Sequence, residues 1–192
     1  MARPRSPDKH EAILAAAARA LAEDGATATT ARIARLAGVA EGTVFTYFET
    51  KDALLNALYL SLKAGMREAM MAGFPEHAPV EQAVRHAWNG YVSWGVADPD
   101  ARRALQQLNV SGRIDDAHRA AGAEGFGGIN VLLRELVAAS GALKPDEAYA
   151  FCASLFTSIA ETAMESIARD PARADAYREA GFRALWAVLH AV

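Results

Sequence analysis

The stretch AGVAEGTVFTYFETKDAL, Ala37–Leu54, decides how the chain is read. A short helical pattern carrying Ile33, Leu36 and Ala37 runs into Gly38, a residue suited to leaving a helix through a left-handed C-cap. A second short pattern follows from about Glu41 to Phe48, and a longer one begins near Thr50. Two short helices joined by three or four residues including Gly have the form of a helix-turn-helix, whose second helix enters the DNA major groove. Val44 and Phe48 stand four apart and should pack inward. Glu41, Gly42, Thr43, Thr46 and Tyr47 are then left toward the outside. Gly42 lets a backbone approach DNA, Thr43 and Thr46 bring hydroxyls and methyls, and Glu41 can accept from a cytosine amino group. Tyr47 and Lys51 suit flanking phosphates, which set position without reading sequence. Phe45 is expected to straddle the core and the outer face. A plain helical hairpin with an aromatic core would satisfy the same spacing, so spacing alone leaves both readings open.

Outward from this stretch the pattern is helical nearly throughout. Ser6-Pro7-Asp8 reads as a helix start, with Ser as N-cap, Pro at the first helical position and an acid in the first turn. Ile13, Leu14, Ala17, Ala18 and Leu21 form one apolar stripe that Gly25 ends, and Thr29 or Thr30 can cap the next helix. The helix from Thr50 should reach about Ala72, where Gly73-Phe74-Pro75 breaks the chain. Further helices are expected at about Pro79–Val96, Asp100–Val110, Ile114–Ala139, Asp146–Arg169 and Ala172–Ala191. The Ile114–Ala139 helix is loosened by Gly122, Gly125, Gly127 and Gly128, each costing about 1 kcal/mol against Ala, and this soft segment is expected to move when a ligand binds. There is no convincing strand run and no repeat. The fold class is therefore all-α: an N-terminal helix-turn-helix domain over residues 1–51, and a larger helical domain over residues 52–192.

Composition narrows the function. Apolar residues make up 52% of 192, enough for a real core. The N-terminus lacks the apolar core of a signal peptide, and no apolar run approaches the roughly 20 residues of a membrane span. A cytoplasmic protein without a membrane partner is the expectation. Cys152 is the single cysteine, so there is no internal disulfide framework. Residues 1–51 carry seven Lys/Arg against six Asp/Glu, and the remainder thirteen against seventeen, an asymmetry too small to decide anything. Phosphate-loop, G-x-S-x-G and H-E-x-x-H motifs are all missing. Asp115 with His118 and Glu161 with Glu165 are the best metal candidates, but a helical di-metal site wants Glu-x-x-His twice. Neither catalysis nor a cofactor is expected.

The first region resembles the DNA-binding domain of the TetR family of bacterial transcriptional regulators. Thr29-Thr30, Ile33-Ala34, Ala37-Gly38-Val39, Gly42-Thr43, Tyr47-Phe48 and Lys51 with Leu54 stand in the family's order and spacing, over roughly residues 8–56. The resemblance implies a homodimer on a palindromic double-stranded operator, most often a repressor released by a small-molecule effector. It also implies DNA contacts at Thr30, Glu41, Gly42, Thr43, Thr46, Tyr47 and Lys51, and an N-terminal arm with Arg3, Arg5 and Lys9 could add phosphate or minor-groove contacts. Two positions depart from the pattern. Ala40 replaces a common capping Ser, and Phe45 replaces a common Tyr.

The larger domain carries no diagnostic motif. Trp88, Tyr91 and Trp94 step by three along one helix, with Met66, Met70, Leu105, Leu108, Phe126, Asn130, Cys152 and Phe156 as candidates to stand opposite. Such an apolar, aromatic set suits either a ligand pocket or a plain core. Leu155, Ile159, Thr162 and Ala163 on one late helix, with Phe182, Leu185, Trp186 and Leu189 on the next, are expected to form a four-helix dimer interface. Two other functions remain open at this point: a helical small-molecule binder without DNA affinity, and a helical-bundle metalloenzyme.

Overall fold

A computed structural model describes residues 6–138 and 144–189, and every described element is helical. Contacts gather the chain into two compact units, one of residues up to Gly65 with Asp98–Glu124, the other of Met66–Ala97 with Gly125–Val192.

In the first unit, α1 (Pro7–Asp24) starts with Pro at its first position and buries Ile13, Leu14, Ala17 and Leu21. It stops at Gly25, whose φ of 60° turns the chain into a short 3-10 segment, Gly25–Thr27. Helix α2 (Thr30–Leu36) is capped by Thr29, whose hydroxyl oxygen accepts from the Arg32 N–H at 3.2 Å. Helix α3 spans Glu41–Tyr47, and α4 spans Lys51–Met71. At the start of α4 the Thr50 hydroxyl oxygen accepts from Ala53 N–H at 3.0 Å. Helix α6 (Pro99–Val110), capped by Asp98, packs against α1 and buries Ala101, Ala104, Leu105 and Leu108. Helix α7 (Asp116–Ala123) is capped by Asp115. The Asp115 carboxylate accepts from His118 N–H at 2.9 Å and from the Asn56 amide at 3.0 Å. These hydrogen bonds hold it below the usual carboxylate range. Arg113 donates to Asp52 at 2.9 and 2.6 Å, so the turn between α6 and α7 is tied to the first turns of α4.

The second unit holds α5 (Val80–Ala97), α8 (Gly127–Ala138), α9 (Pro145–Arg169), a 3-10 turn at Pro171–Arg173 and α10 (Ala174–Leu189). Trp88 is fully buried and its indole N–H donates to the Arg178 carbonyl at 3.0 Å, satisfying the one polar atom the ring brings into the core. Close helix approach depends on small residues here. A Cβ on Gly181 would lie 2.6 Å from the Trp88 ring. Arg85 lies over the Phe182 ring at 3.8 Å and pairs with Glu179, fixing α5 to α10.

Three expectations change. The helix expected over Ile114–Ala139 is two helices, because Gly125 at φ 81° breaks it between α7 and α8. Leu105 and Leu108, expected beside a pocket of the larger domain, are core residues of the first unit, buried where α6 meets α1. The packing boundary also differs from a cut at residue 51: α4 contributes to both units, and Asp98–Glu124 joins the first.

Candidate nucleic-acid interface

The turn between α2 and α3 is set by backbone hydrogen bonds. With Gly38 at φ 67°, its N–H donates to the Arg35 carbonyl at 3.3 Å and the Val39 N–H to the Ala34 carbonyl at 3.0 Å. That pair is a Schellman motif, which satisfies the last carbonyls of α2 and aims the chain into α3. Val44 and Phe48 are buried at 1% and 6% exposure and anchor α3 to the unit. Gly42 and Thr46 are exposed, as is Glu41, while Thr43, Tyr47 and Thr30 are half-buried. Of the set expected to face outward, Glu41, Gly42 and Thr46 are exposed, with Thr43 and Tyr47 partly turned in.

Two side chains knit the face together. The Thr30 hydroxyl donates to Glu41 Oε1 at 2.6 Å, linking the first residues of α2 and α3. This contact holds the carboxylate in place. Ser6 N–H donates to the Tyr47 hydroxyl oxygen at 2.9 Å, and the His10 ring lies tilted against its neighbours, 4.9 Å from Phe48 and 6.4 Å from Tyr47. Because Tyr47 oxygen accepts there, its O–H proton is left to donate elsewhere. The partnership with the start of α1 carries no signal in local sequence, since forty-one residues separate the two.

Lys51, expected at a flanking phosphate, also has a partner within the head. Its amino group donates to the Ala28 carbonyl, and the residue lines a small cavity together with Leu21, Ile33, Leu55 and Leu108. Burial, with the Arg113 charge nearby, holds this amine below the ordinary lysine range. Lys51 thus braces the head internally, and with one of its three N–H donors given to Ala28 two are left over for a flanking phosphate. Arg35 on α2 is exposed and was not among the expected contacts. Arg3 and Arg5 lie outside the described residues.

Ala40 precedes α3 with φ −69° and ψ 147° and gives it no side-chain cap. Ala40→Ser should supply that cap, with its hydroxyl oxygen accepting from Gly42 or Thr43 N–H. A gain of about 1 kcal/mol in unfolding free energy is expected, measured by urea unfolding. No gain would mean that the first turn of α3 is already satisfied.

In the second unit, the expected ligand residues are partly gathered. Trp88 and Tyr91 are buried and Trp94 and Phe156 half-buried, with Phe156 at 5.7 Å from Trp88 and 5.2 Å from Tyr91, and Tyr91 stacked on Trp94 at 6.0 Å. Met66, Met70, Phe126 and Cys152 are buried, and burial pushes the Cys152 thiol up. Asn130 accepts at 2.8 Å from the Tyr149 hydroxyl. The expected dimer stripes divide. Ala163, Phe182, Leu185 and Leu189 are core residues where α9 packs on α10, at 6%, 1%, 0% and 2% exposure. Leu155, Ile159 and Trp186 are half-buried and Thr162 exposed. The outward sides are one turn-face away, with Ser154, Ser158 and Thr162 on α9 and Ala176, Ala180, Ala184 and Ala187 on α10.

A helical head of this geometry, carrying α3 outward on a Gly38 turn, is a helix-turn-helix. Residues 13–58 match the family model described as bacterial regulatory proteins, tetR family. The HTH-type transcriptional regulator YhgD of Bacillus subtilis, itself uncharacterised, is 34% identical over 84 residues, 41% of this chain and 44% of that protein. The aligned segment thus spans less than half of that relative. A structure described as a candidate tetR family transcription regulator from Shewanella sp. PV-4 superposes with a TM-score of 0.75 at 27% identity, covering 95% of this chain and 97% of that one. The TetR-like regulator LfrR from Mycobacterium smegmatis, solved with proflavine, gives 0.67 at 23% identity over 93% and 95% of the two chains, a likeness of fold alone. Residues 13–58 thus carry the N-terminal domain of the tetR family of bacterial regulatory proteins, and the chain as a whole is similar to a solved structure described as a member of that family. Among the described residues no helix is long and apolar enough to cross a membrane.

Proposed function

We propose that the chain works in the cytoplasm as a homodimeric, ligand-responsive repressor of transcription that binds a palindromic operator. The observation that carries this reading is the outward face of α3 on a hydrogen-bonded Gly38 turn, with Val44 and Phe48 locking it to α1 and α2. Each protomer inserts α3 into the major groove, with Thr30, Glu41, Gly42, Thr43, Thr46 and Tyr47 toward DNA. The two half-sites lie about 34–36 Å apart or moderately further. The dimer forms through the outward sides of α9 and α10, where small side chains permit close packing of a four-helix bundle.

The effector is a small, largely apolar molecule held near Trp88, Tyr91, Trp94 and Phe156, and the Gly125 break between α7 and α8 gives way as it binds. It releases DNA only to the extent that it binds the released arrangement more tightly than the DNA-bound one. The dependence of affinity on salt tests the DNA-binding core of the proposal. A dimer making about six to ten phosphate contacts should lose about 10³–10⁵ in affinity between 50 and 200 mM salt. Weak binding that ignores salt would favour the other reading, a helical small-molecule binder that keeps only the shape of a DNA-reading head.

A further inference from the structure

Phe45 is 44% exposed, whereas its neighbours Val44 and Phe48 are buried at 1% and 6%. It stands outside the ring cluster of His10, Tyr47 and Phe48. Gly42, Phe45 and Thr46 follow the i, i+3, i+4 pattern of one face of α3, and all three are exposed. An apolar ring is thus placed in the middle of the surface that α3 offers to DNA, beside a glycine that lets the groove come close.

The rest of that surface is short of hydrogen-bond donors. From Glu41 to Glu49 there is no Arg, Lys, Asn, Gln or His. Arg and Lys are the usual readers of guanine, and Asn and Gln those of adenine. The Thr46 hydroxyl proton is already given to the Gly42 carbonyl at 3.1 Å, so Thr46 meets a base with a lone pair and a methyl group. Glu41 can only accept while ionised. Among the groups exposed in the major groove, the apolar one is the 5-methyl of thymine.

Resting on the DNA-reading function proposed above, we infer that Phe45 is a specificity-determining residue that packs against the 5-methyl group of a thymine in each half-site. The reading helix selects pyrimidine edges through apolar contact at Phe45 and acceptance at Glu41, in place of the usual Arg–guanine pair. A uracil at that position keeps every hydrogen-bonding group and lacks only the methyl, so it isolates this contact.

The test uses the full chain and an operator recovered by selection from genomic DNA, with each thymine replaced in turn by deoxyuridine. One thymine, or an adjacent pair, in each half-site should show a loss of about three- to fivefold, the worth of one methyl taken out of water. In Phe45→Ala that penalty should vanish, and in Phe45→Leu, which keeps an apolar side chain, part of it should remain. Both variants alter an exposed position, and thermal melting confirms that they fold; should Phe45→Ala melt early, the Phe45→Leu comparison carries the test. Uniform indifference to uracil in the wild type, or an equal penalty in Phe45→Ala, overturns the inference while the operator-binding function stands. Failure of the wild type to bind any operator overturns both.

Discussion

Gly42→Trp is expected to leave folding intact and to reduce operator binding to the non-specific level, a loss of about a thousandfold or more. A Cβ built on Gly42 meets nothing within 4 Å, so the subunit itself has room for a side chain there. Gly42 lies inside α3 at an ordinary helical φ, and a residue other than glycine favours the helix by a few tenths of a kcal/mol. The space the indole would fill is the space the major groove must occupy. Specific contacts then fail together, while the phosphate attraction common to all sequences persists. Fluorescence titration with operator and scrambled duplexes, beside a thermal melt, reads both halves of the expectation. Near wild-type affinity with unchanged melting would mean that α3 does not enter the groove.

The second large effect concerns stability, and its site is Gly90. A Cβ there would lie 2.2 Å from the Ala69 carbonyl oxygen and 2.8 Å from both Ala69 C and Met70 Cα. All three are backbone atoms of α4, so no side-chain rotation relieves the overlap and α4 and α5 must separate. Gly90→Ala gains about 1 kcal/mol of helix propensity. Overpacking against a rigid backbone outweighs it, and a net destabilisation of about 2–4 kcal/mol is expected. For a chain of this size that lowers the melting temperature by roughly 5–15 °C. Gly128→Ala is the natural control, since its Cβ would meet Phe74 at an ordinary 3.5 Å. Equal melting of the two variants would contradict the close approach of α4 and α5.

Local signals in the sequence carried the reading head well. Gly38 after Ala37 announces a left-handed exit, and the structure places it at φ 67° with both Schellman hydrogen bonds made. Val44 and Phe48, read as inward from their spacing alone, are buried. What local pattern could not supply was the partner of each side chain. Lys51, read as suited to a flanking phosphate, also donates to the Ala28 carbonyl, on a loop twenty-three residues earlier. Tyr47 likewise answers to Ser6 across forty-one residues.

The same gap explains the larger misassignments. Periodicity shows that α6 has an apolar face and that α10 has one, but not which surface each face meets. Leu105 and Leu108 meet α1, and Phe182, Leu185 and Leu189 are buried in the subunit beneath α5 and α9. The most apolar stripe of a helix fills its own subunit's core first. A second copy is left the face of smaller residues, such as Ala180 and Ala184, which hydrophobicity does not single out. Glycine content suggested a weak helix over Ile114–Ala139; only the backbone shows that Gly125 ends one helix before another begins.

The most direct test of the central claim is selection of genomic fragments by the purified full-length protein, read by sequencing. The account predicts recovery of a shared palindrome with half-site centres about one helical turn apart or moderately further. Occupancy should be two protomers per site. Fragments with no common site at moderate salt, bound no better than random DNA, would contradict it.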